Sequence, residues 1–156
     1  LVCTLNGSRV LDATAALLNV DLPALTELAQ AAGDGAGGLI MVPYFEGERT
    51  PNLPDATGSL HGMTLQNFTP ENLARAAVEA IACSLADGLA ALTALGTDVR
   101  RVILVGGAAR SAALQYAVSA IFGLPVTVPE PDEYVANGAA KQAAGALAGS
   151  CAAARD

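Results

Sequence analysis

The sequence predicts an α/β domain in which short apolar strands alternate with helices and right-handed crossovers join successive strands. One observation is the run VILV at residues 102–105, which is apolar at every position, as is typical of a strand covered on both faces. A second is the apolar spacing of three or four residues that begins after Thr69 and continues for about six turns. The 156 residues, 53% of them hydrophobic, fit one domain with a real core.

The N-terminal part predicts a strand followed by two helices. Residues 1–5 (LVCTL) are predicted to form a strand or the end of one. Ser8 is a candidate cap for the first helix. The expected inner face of this helix has residues three or four apart: Val10, Ala13, Leu17 and Val20. Asp21 is the expected cap of the second helix, with Pro23 in its first turn and Gly33 beyond its end.

The middle of the chain predicts a strand, an irregular stretch and the longest helix. Residues 39–45 (LIMVPYF) are expected to contain a buried strand that ends near Pro43. Residues 46–66 contain three glycines and two prolines, so ordered turns are expected there. Thr69 caps the long helix, Pro70 lies in its first turn and Gly96 ends it. Its apolar stripe consists of Ala74, Val78, Ile81, Leu85, Leu89 and Leu92.

The C-terminal third predicts two further strand–helix pairs. The helix after residues 102–105 ends at Gly123, and its expected inner residues are Leu114, Val118, Ile121 and Phe122. Residues 126–128 (VTV) predict the second strand, and Asp132 is a candidate cap for the alanine-rich helix that follows. Gly138 lies inside that helix at a cost of about 1 kcal/mol relative to alanine, which suggests close backbone contact.

Composition and charge exclude several classes of protein. The net charge of −7 and a pI near 4.5 argue against a nucleic-acid partner, which would require a basic patch. The apolar runs are short, so we expect no membrane-spanning segment. The three cysteines, Cys3, Cys83 and Cys151, are widely spaced and include no CxxC pair. We expect no zinc site and no disulfide, but buried, reduced thiols in a cytoplasmic protein.

The stretch GGAARS at residues 106–111 is the strongest candidate site. Backbone N–H groups at the end of a buried strand, followed by a helix N-terminus, favour a phosphate or another anion. Gly106 and Gly107 would let a ligand approach the main chain, and Ser111 can cap the helix or bind the ligand. Arg110 could reach a phosphate or only solvent. A tight turn with close strand–helix packing remains the alternative, and the pattern is not GxGxxG.

Several motifs together resemble the C-terminal domain of the FGGY family of sugar kinases. In chain order they are VPYFEGERTPNLPDATGSLHGMTL at 42–65, TPENLARAAVEAIACSLADGL at 69–89, VILVGGAARS at 102–111 and EYVANGAAKQAA at 133–144. The segment GERTP (47–51) is more similar to that of the xylulose-phosphorylating members than to that of the glycerol-phosphorylating members. The resemblance covers essentially the whole chain.

The resemblance implies a ribonuclease H-like (actin/hexokinase-like ATPase) fold, with a mixed sheet flanked by helices. Residues 1–156 are then expected to be a single C-terminal, nucleotide-side lobe of a two-lobe kinase, truncated at its N-terminal end. The sugar-binding N-terminal domain of the same polypeptide would be missing. Because the chain opens in what looks like mid-strand, we expect it to be part of a longer protein.

The resemblance also implies site residues. Gly106 and Gly107 would approach the phosphates and ribose of ATP, and Arg110 could reach a phosphate. Ala108 and Ser111 would border the adenine. The segment TLNGSR resembles the family's adenine-pocket segment, which implies a contact for Gly7 and, less directly, for its neighbour Asn6.

The implied activity is transfer of the ATP γ-phosphate, with Mg²⁺, to the 5-hydroxyl of D-xylulose. The family's catalytic base is an aspartate of the N-terminal domain, so we assign no catalytic and no metal-binding residue to this chain and expect it to be inactive alone. Asp55 and Asp87 are expected to face solvent, and the lone histidine, His61, to be structural or at the edge of the cleft. Another acceptor (glycerol, gluconate or ribulose), a non-catalytic Rossmann-like nucleotide-binding module and a homodimer remain open.

Overall fold

The computed structural model describes residues 1–130 and 132–148. These residues form five helices and four short strands. In chain order they are α1 (Ser8–Leu18), α2 (Leu22–Ala31), β1 (Ile40–Val42), β2 (Ser59–His61), α3 (Pro70–Ala94), β3 (Val102–Ile103), α4 (Ala112–Phe122), β4 (Val126–Thr127) and α5 (Tyr134–Leu147). Single 3-10 turns lie at Ala36–Gly38 and Gly107–Arg110.

Helix α3 forms the centre of the core and packs against α1, α2 and α4. The hydroxyl of Thr69 accepts a hydrogen bond from the Asn72 N–H, and Pro70 occupies the first helical position, which confirms the predicted start. The predicted stripe is confirmed too, since Ala74, Val78 and Ile81 are buried and the later leucines are half-buried. By length and composition α3 could cross a membrane, but its packing is that of a core helix.

Arg75 on α3 is a buried charged residue that forms two ion pairs. Its side chain is 5% exposed and donates to Glu79 at 2.6 Å and to Asp34 at 2.5 Å. The guanidinium also stacks on the Tyr116 ring, 5.1 Å from its centroid. Tyr116 in turn donates its hydroxyl to Asp34. The cluster therefore connects the loop after α2 to α3 and α4.

The strands form two separate pairs, one antiparallel and one parallel. Strands β1 and β2 are antiparallel, with Ile40 opposite His61, and β3 and β4 are parallel, with Val102 opposite Val126. Strand β2 lies within the stretch predicted to be irregular, because its three residues carry too little apolar signal. Strand β1 ends directly before Pro43, as predicted, but the expected burial is wrong for Ile40, which is 60% exposed.

Two expectations near the N-terminus are also wrong. Residues 1–5 are not in a strand, because no neighbouring strand of the described chain pairs with them. Helix α1 packs against α2 and α3 through Val10, Leu11, Thr14 and Ala15, so the buried face is rotated from the predicted one. Leu17 is 74% exposed and Ala13 is exposed as well. Ser8 starts the helix without capping it.

The last two helices differ in how well they are packed. The Ser111 hydroxyl caps α4 by accepting from the Leu114 N–H, and Gly123 (φ 61°) ends it, as predicted. In the described part of the chain no residue of α5 is buried, and no described atom lies within 4 Å of a Cβ built on Gly138. The expected backbone contact at Gly138 is therefore absent from the described residues, and the side chain of Asp132 does not cap α5.

The cysteines differ from their expected burial. Cys3 and Cys83 are free thiols, as expected, but both are exposed because they lie outside the packed faces of the chain. Cys151 lies outside the described residues. The burial prediction is thus wrong for the two cysteines that the structure describes.

Candidate functional site

The turn after β3 reverses the chain within a few residues. Gly106 has φ +100°, a conformation that residues with a Cβ rarely adopt. One turn of 3-10 helix follows, in which the Ala109 N–H donates to the Gly106 carbonyl at 3.1 Å. The Ser111 cap then starts α4. Glycine at 106 is therefore required by the backbone itself, independently of any ligand.

A cleft of about 810 Å³ opens at the carboxyl ends of the parallel strands β3 and β4. Residues 104–107 and Arg110 line one wall, and residues 128–130 and 132–134 line the other. A Cβ built on Gly106 or Gly107 would meet no atom of the described residues within 4 Å. Bare main chain therefore faces open space at this corner, which leaves room for a ligand to approach it closely.

The two walls carry opposite charges. Glu130, Asp132 and Glu133 lie on the β4–α5 side, whereas Arg110 lies on the side of the glycine turn. Within the described residues Arg110 forms no ion pair, so its guanidinium is available to an anion. An anionic group is thus attracted to the glycine wall and repelled from the wall formed by the start of α5.

The structure brings together only some of the predicted site residues. Gly106, Gly107 and Arg110 line the cleft. Ala108 is half-buried against the core, and the Ser111 hydroxyl, besides capping α4, lies 3.0 Å from that of Thr26. Ala108 and Ser111 therefore lie directly behind the turn rather than in the cleft.

Gly7 lies apart from this cleft, at the start of α1. It is the residue before the first helical turn, which no side chain caps. Its neighbours Asn6 and Arg9 line a separate pocket of about 230 Å³, together with Phe45 and Glu46. The chain segment around Gly7 therefore borders an open surface of its own.

Glu48 fixes the segment before Gly7, a role that the sequence did not indicate. Glu48 is only 2% exposed, although it lies in a loop of charged and small residues. The carboxylate accepts from the Leu5 N–H at 2.6 Å, the Arg49 N–H at 2.7 Å and the Asn6 side chain at 3.2 Å. Burial alone would raise the pKa of Glu48, but these hydrogen bonds outweigh it and hold the pKa below its usual range.

Other candidate groups are exposed. Asp55 and Asp87 face solvent, as predicted. His61 is exposed on β2, where its ring nitrogen lies 2.8 Å from the Ser59 hydroxyl. In the described part of the chain no group of three or more histidine, cysteine or acidic residues could hold a metal ion.

Residues 6–147 match the model of the FGGY family of carbohydrate kinases, C-terminal domain. The chain belongs to this family. Among the relatives of this FGGY domain, a xylulose kinase from Streptomyces coelicolor is 39% identical over 155 residues, which is 99% of this chain and 30% of that protein. A gluconokinase from Bacillus subtilis is 38% identical over 123 residues, which is 77% of this chain and 24% of that protein.

Solved structures agree with the family assignment. The crystal structure of xylulose kinase from Bifidobacterium adolescentis superimposes with a TM-score of 0.81 at 53% identity, covering 94% of this chain and 29% of that one. The FGGY domain therefore has the expected ribonuclease H-like fold of actin and hexokinase, of which these residues form part of one lobe. The chain spans about 30% of the length of the xylulose kinases that it matches.

Proposed function

We propose that this chain is the nucleotide-side part of an ATP-dependent sugar kinase that phosphorylates D-xylulose at its 5-hydroxyl. The relatives named xylulose kinase support the acceptor, since they match 92% and 99% of the chain at 36% and 39% identity. The observation that carries the nucleotide assignment is the open corner at Gly106 and Gly107, where main chain faces a cleft at the end of two parallel strands.

In this proposal the glycine turn approaches the phosphates and ribose of ATP, and Arg110 adds a positive charge on the same wall. Ala108 and Ser111 would support the glycine turn from behind, Ser111 by capping α4, while Gly7 at the start of α1 lies apart from this cleft. Mg²⁺ would arrive on the phosphates, because magnesium usually keeps substrate oxygens and water as ligands. The reaction would take place in the cytoplasm.

We further propose that residues 1–156 belong to one domain that is completed by other parts of a longer polypeptide, including the sugar-binding lobe and the catalytic aspartate. The apolar surface around β3, β4 and α5 supports this arrangement. It includes Ile103 at 52%, Val105 at 46% and Val135 at 85% exposure. Apolar patches of this kind commonly mark surfaces that another part of a protein covers.

A substrate panel with the complete polypeptide that carries this sequence tests the function. We expect ATP-dependent phosphorylation of D-xylulose with a kcat/KM above that for D-ribulose, gluconate and glycerol, measured by coupled ADP release. Position 5 of the product should carry the phosphate, as seen by phosphorus-coupled NMR. Failure of all four acceptors to support ADP release would overturn the kinase assignment.

Gluconate is the second candidate acceptor. The Bacillus subtilis gluconokinase matches 77% of this chain at 38% identity, which is comparable to the identity of the xylulose kinases. Because the proposed sugar contacts lie outside this chain, its residues do not separate the two acceptors. A higher kcat/KM for gluconate than for D-xylulose in the same panel would select the gluconate alternative.

A further inference from the structure

The wall opposite the glycine turn carries an aromatic side chain to which no role has been given. Tyr134, the first residue of α5, lines the cleft and is 38% exposed. Among the described residues that line the cleft it is the sole aromatic side chain. A partly exposed ring in a cleft offers a flat apolar surface to a ligand.

The ring of Tyr134 is held in place before any ligand arrives. Its hydroxyl donates a hydrogen bond to the carbonyl oxygen of Glu130, which anchors the far end of the side chain. The start of α5 is held as well, since Asp132 accepts from the Glu133 N–H at 2.7 Å and from the Asn137 side chain at 2.9 Å. A pre-ordered ring loses less conformational entropy when a ligand packs against it.

The charges of the cleft decide which end of a nucleotide fits this wall. Glu130, Asp132 and Glu133 line the same wall as Tyr134, and they would repel a triphosphate. A nucleobase is uncharged and has a flat face, so it can pack on the ring without that repulsion. The phosphates are favoured towards Arg110 and the glycine turn on the opposite wall.

We propose that Tyr134 is the surface on which the base of the nucleotide stacks, and that it orients the phosphates away from α5. This inference rests on the proposed nucleotide-binding function and adds a specificity-determining residue to it. Stacking of a base on an aromatic side chain contributes enough that its removal weakens binding by about ten-fold or more. The hydrogen bond to Glu130 fixes the ring but is not itself a contact to the nucleotide.

The test compares Tyr134→Ala and Tyr134→Phe in the complete polypeptide, with 1,N6-etheno-ATP as a fluorescent probe. We expect the alanine variant to bind the probe about ten-fold or more weakly. Its KM for ATP should rise by a similar factor, and its KM for the sugar should stay unchanged. The phenylalanine variant keeps the ring and should stay within about three-fold of wild type. The matched control is Phe68→Ala, which removes an aromatic side chain that is 58% exposed and does not line the cleft.

Inorganic triphosphate, which has no base, separates stacking from a general distortion of the site. It should compete with the probe equally well in wild type and in the alanine variant. Equal weakening of triphosphate and ATP, or unchanged ATP affinity in the alanine variant, would overturn the inference. If the polypeptide binds the probe but phosphorylates no sugar, the kinase assignment fails while the Tyr134 result still stands. Absence of any nucleotide binding overturns both.

Discussion

Two glycine-containing regions of this domain use the same residue type for opposite physical reasons. In the loop after β1 and in the turn after β2, a Cβ on Gly47, Gly58 or Gly62 would lie closer than 3.0 Å to described atoms, so packing excludes a side chain. At Gly106 and Gly107 a Cβ would meet no described atom within 4 Å. The first region is full and the second is open, so a glycine pair alone does not reveal whether it makes room for the protein or for a ligand.

The comparison predicts that the largest loss of stability comes from Gly47→Ala. The new Cβ would collide with the carbonyl of Pro54, which is backbone and cannot swing away, at a φ of +72°. We expect a loss of about 3 kcal/mol or more, which lowers the thermal unfolding midpoint by roughly 6–12 °C.

Gly35→Ala is the matched control for that loss. Gly35 has a similar φ of +76°, but no described atom lies within 4 Å of its Cβ, so only the backbone strain remains. Its cost should be about 1 kcal/mol. Equal losses for the two variants would show that the loop around Gly47 is not filled as described.

Glu48→Ala should give the next largest effect. The substitution leaves the Leu5 N–H, the Arg49 N–H and the Asn6 side chain without their acceptor in a buried place. We expect a loss of about 2–3 kcal/mol, measured by urea unfolding at pH 7. Glu46→Ala is the control, because Glu46 forms an exposed ion pair with Arg9 that should contribute at most about 1 kcal/mol.

The stabilisation by Glu48 should depend on pH. Its pKa is lower in the folded protein than the ordinary value of 4.5, so the unfolded chain takes up the proton first as the pH falls. The stabilisation is therefore complete above about pH 5 and is lost as the pH falls through the folded-state pKa. A difference between wild type and Glu48→Ala that grows on acidification would contradict the hydrogen-bonded carboxylate.

The elements that the sequence predicts well are those set by neighbours along the chain. Asp21 and Thr69 cap α2 and α3 through N–H groups three residues away, so sequence spacing alone specifies them. Burial of Glu48 depends on residues more than 40 positions distant, and its setting among charged and small residues resembles a solvated loop. The buried face of α1 likewise depends on where α2 and α3 lie.

The candidate site likewise has one part that the sequence predicts and one part that it does not. The turn at Gly106 and Gly107 is local, and the sequence predicts it because a strand, two glycines and a helix follow one another directly. The opposite wall, with Tyr134 and three acidic residues, comes from a segment more than 20 positions later, and only the parallel pairing of β3 with β4 brings it across the cleft. The spacing of motifs along the chain does not indicate that these two segments face each other across a cleft.

The smallest effect on stability is expected for Gly107→Val, although its effect on nucleotide binding should be clear. The side chain would project into open space, so helicity by far-ultraviolet circular dichroism should persist and the unfolding free energy should change by less than about 0.5 kcal/mol. Its branched methyl groups would occupy the main-chain surface that the phosphates and ribose are proposed to approach. We therefore expect ATP affinity in the complete polypeptide to fall about ten-fold or more, by isothermal titration calorimetry.

The control is Gly33→Val, since a Cβ on Gly33 also meets no described atom within 4 Å and Gly33 does not line the cleft. That variant should retain the ATP affinity of the wild type. If Gly107→Val also retained the ATP affinity of the wild type, the glycines at this corner would serve only to form a tight turn. Their role would then be structural, like that of Gly47, Gly58 and Gly62. A drop in affinity without a drop in stability would instead assign the open region to the ligand, because a purely structural glycine cannot separate the two measurements.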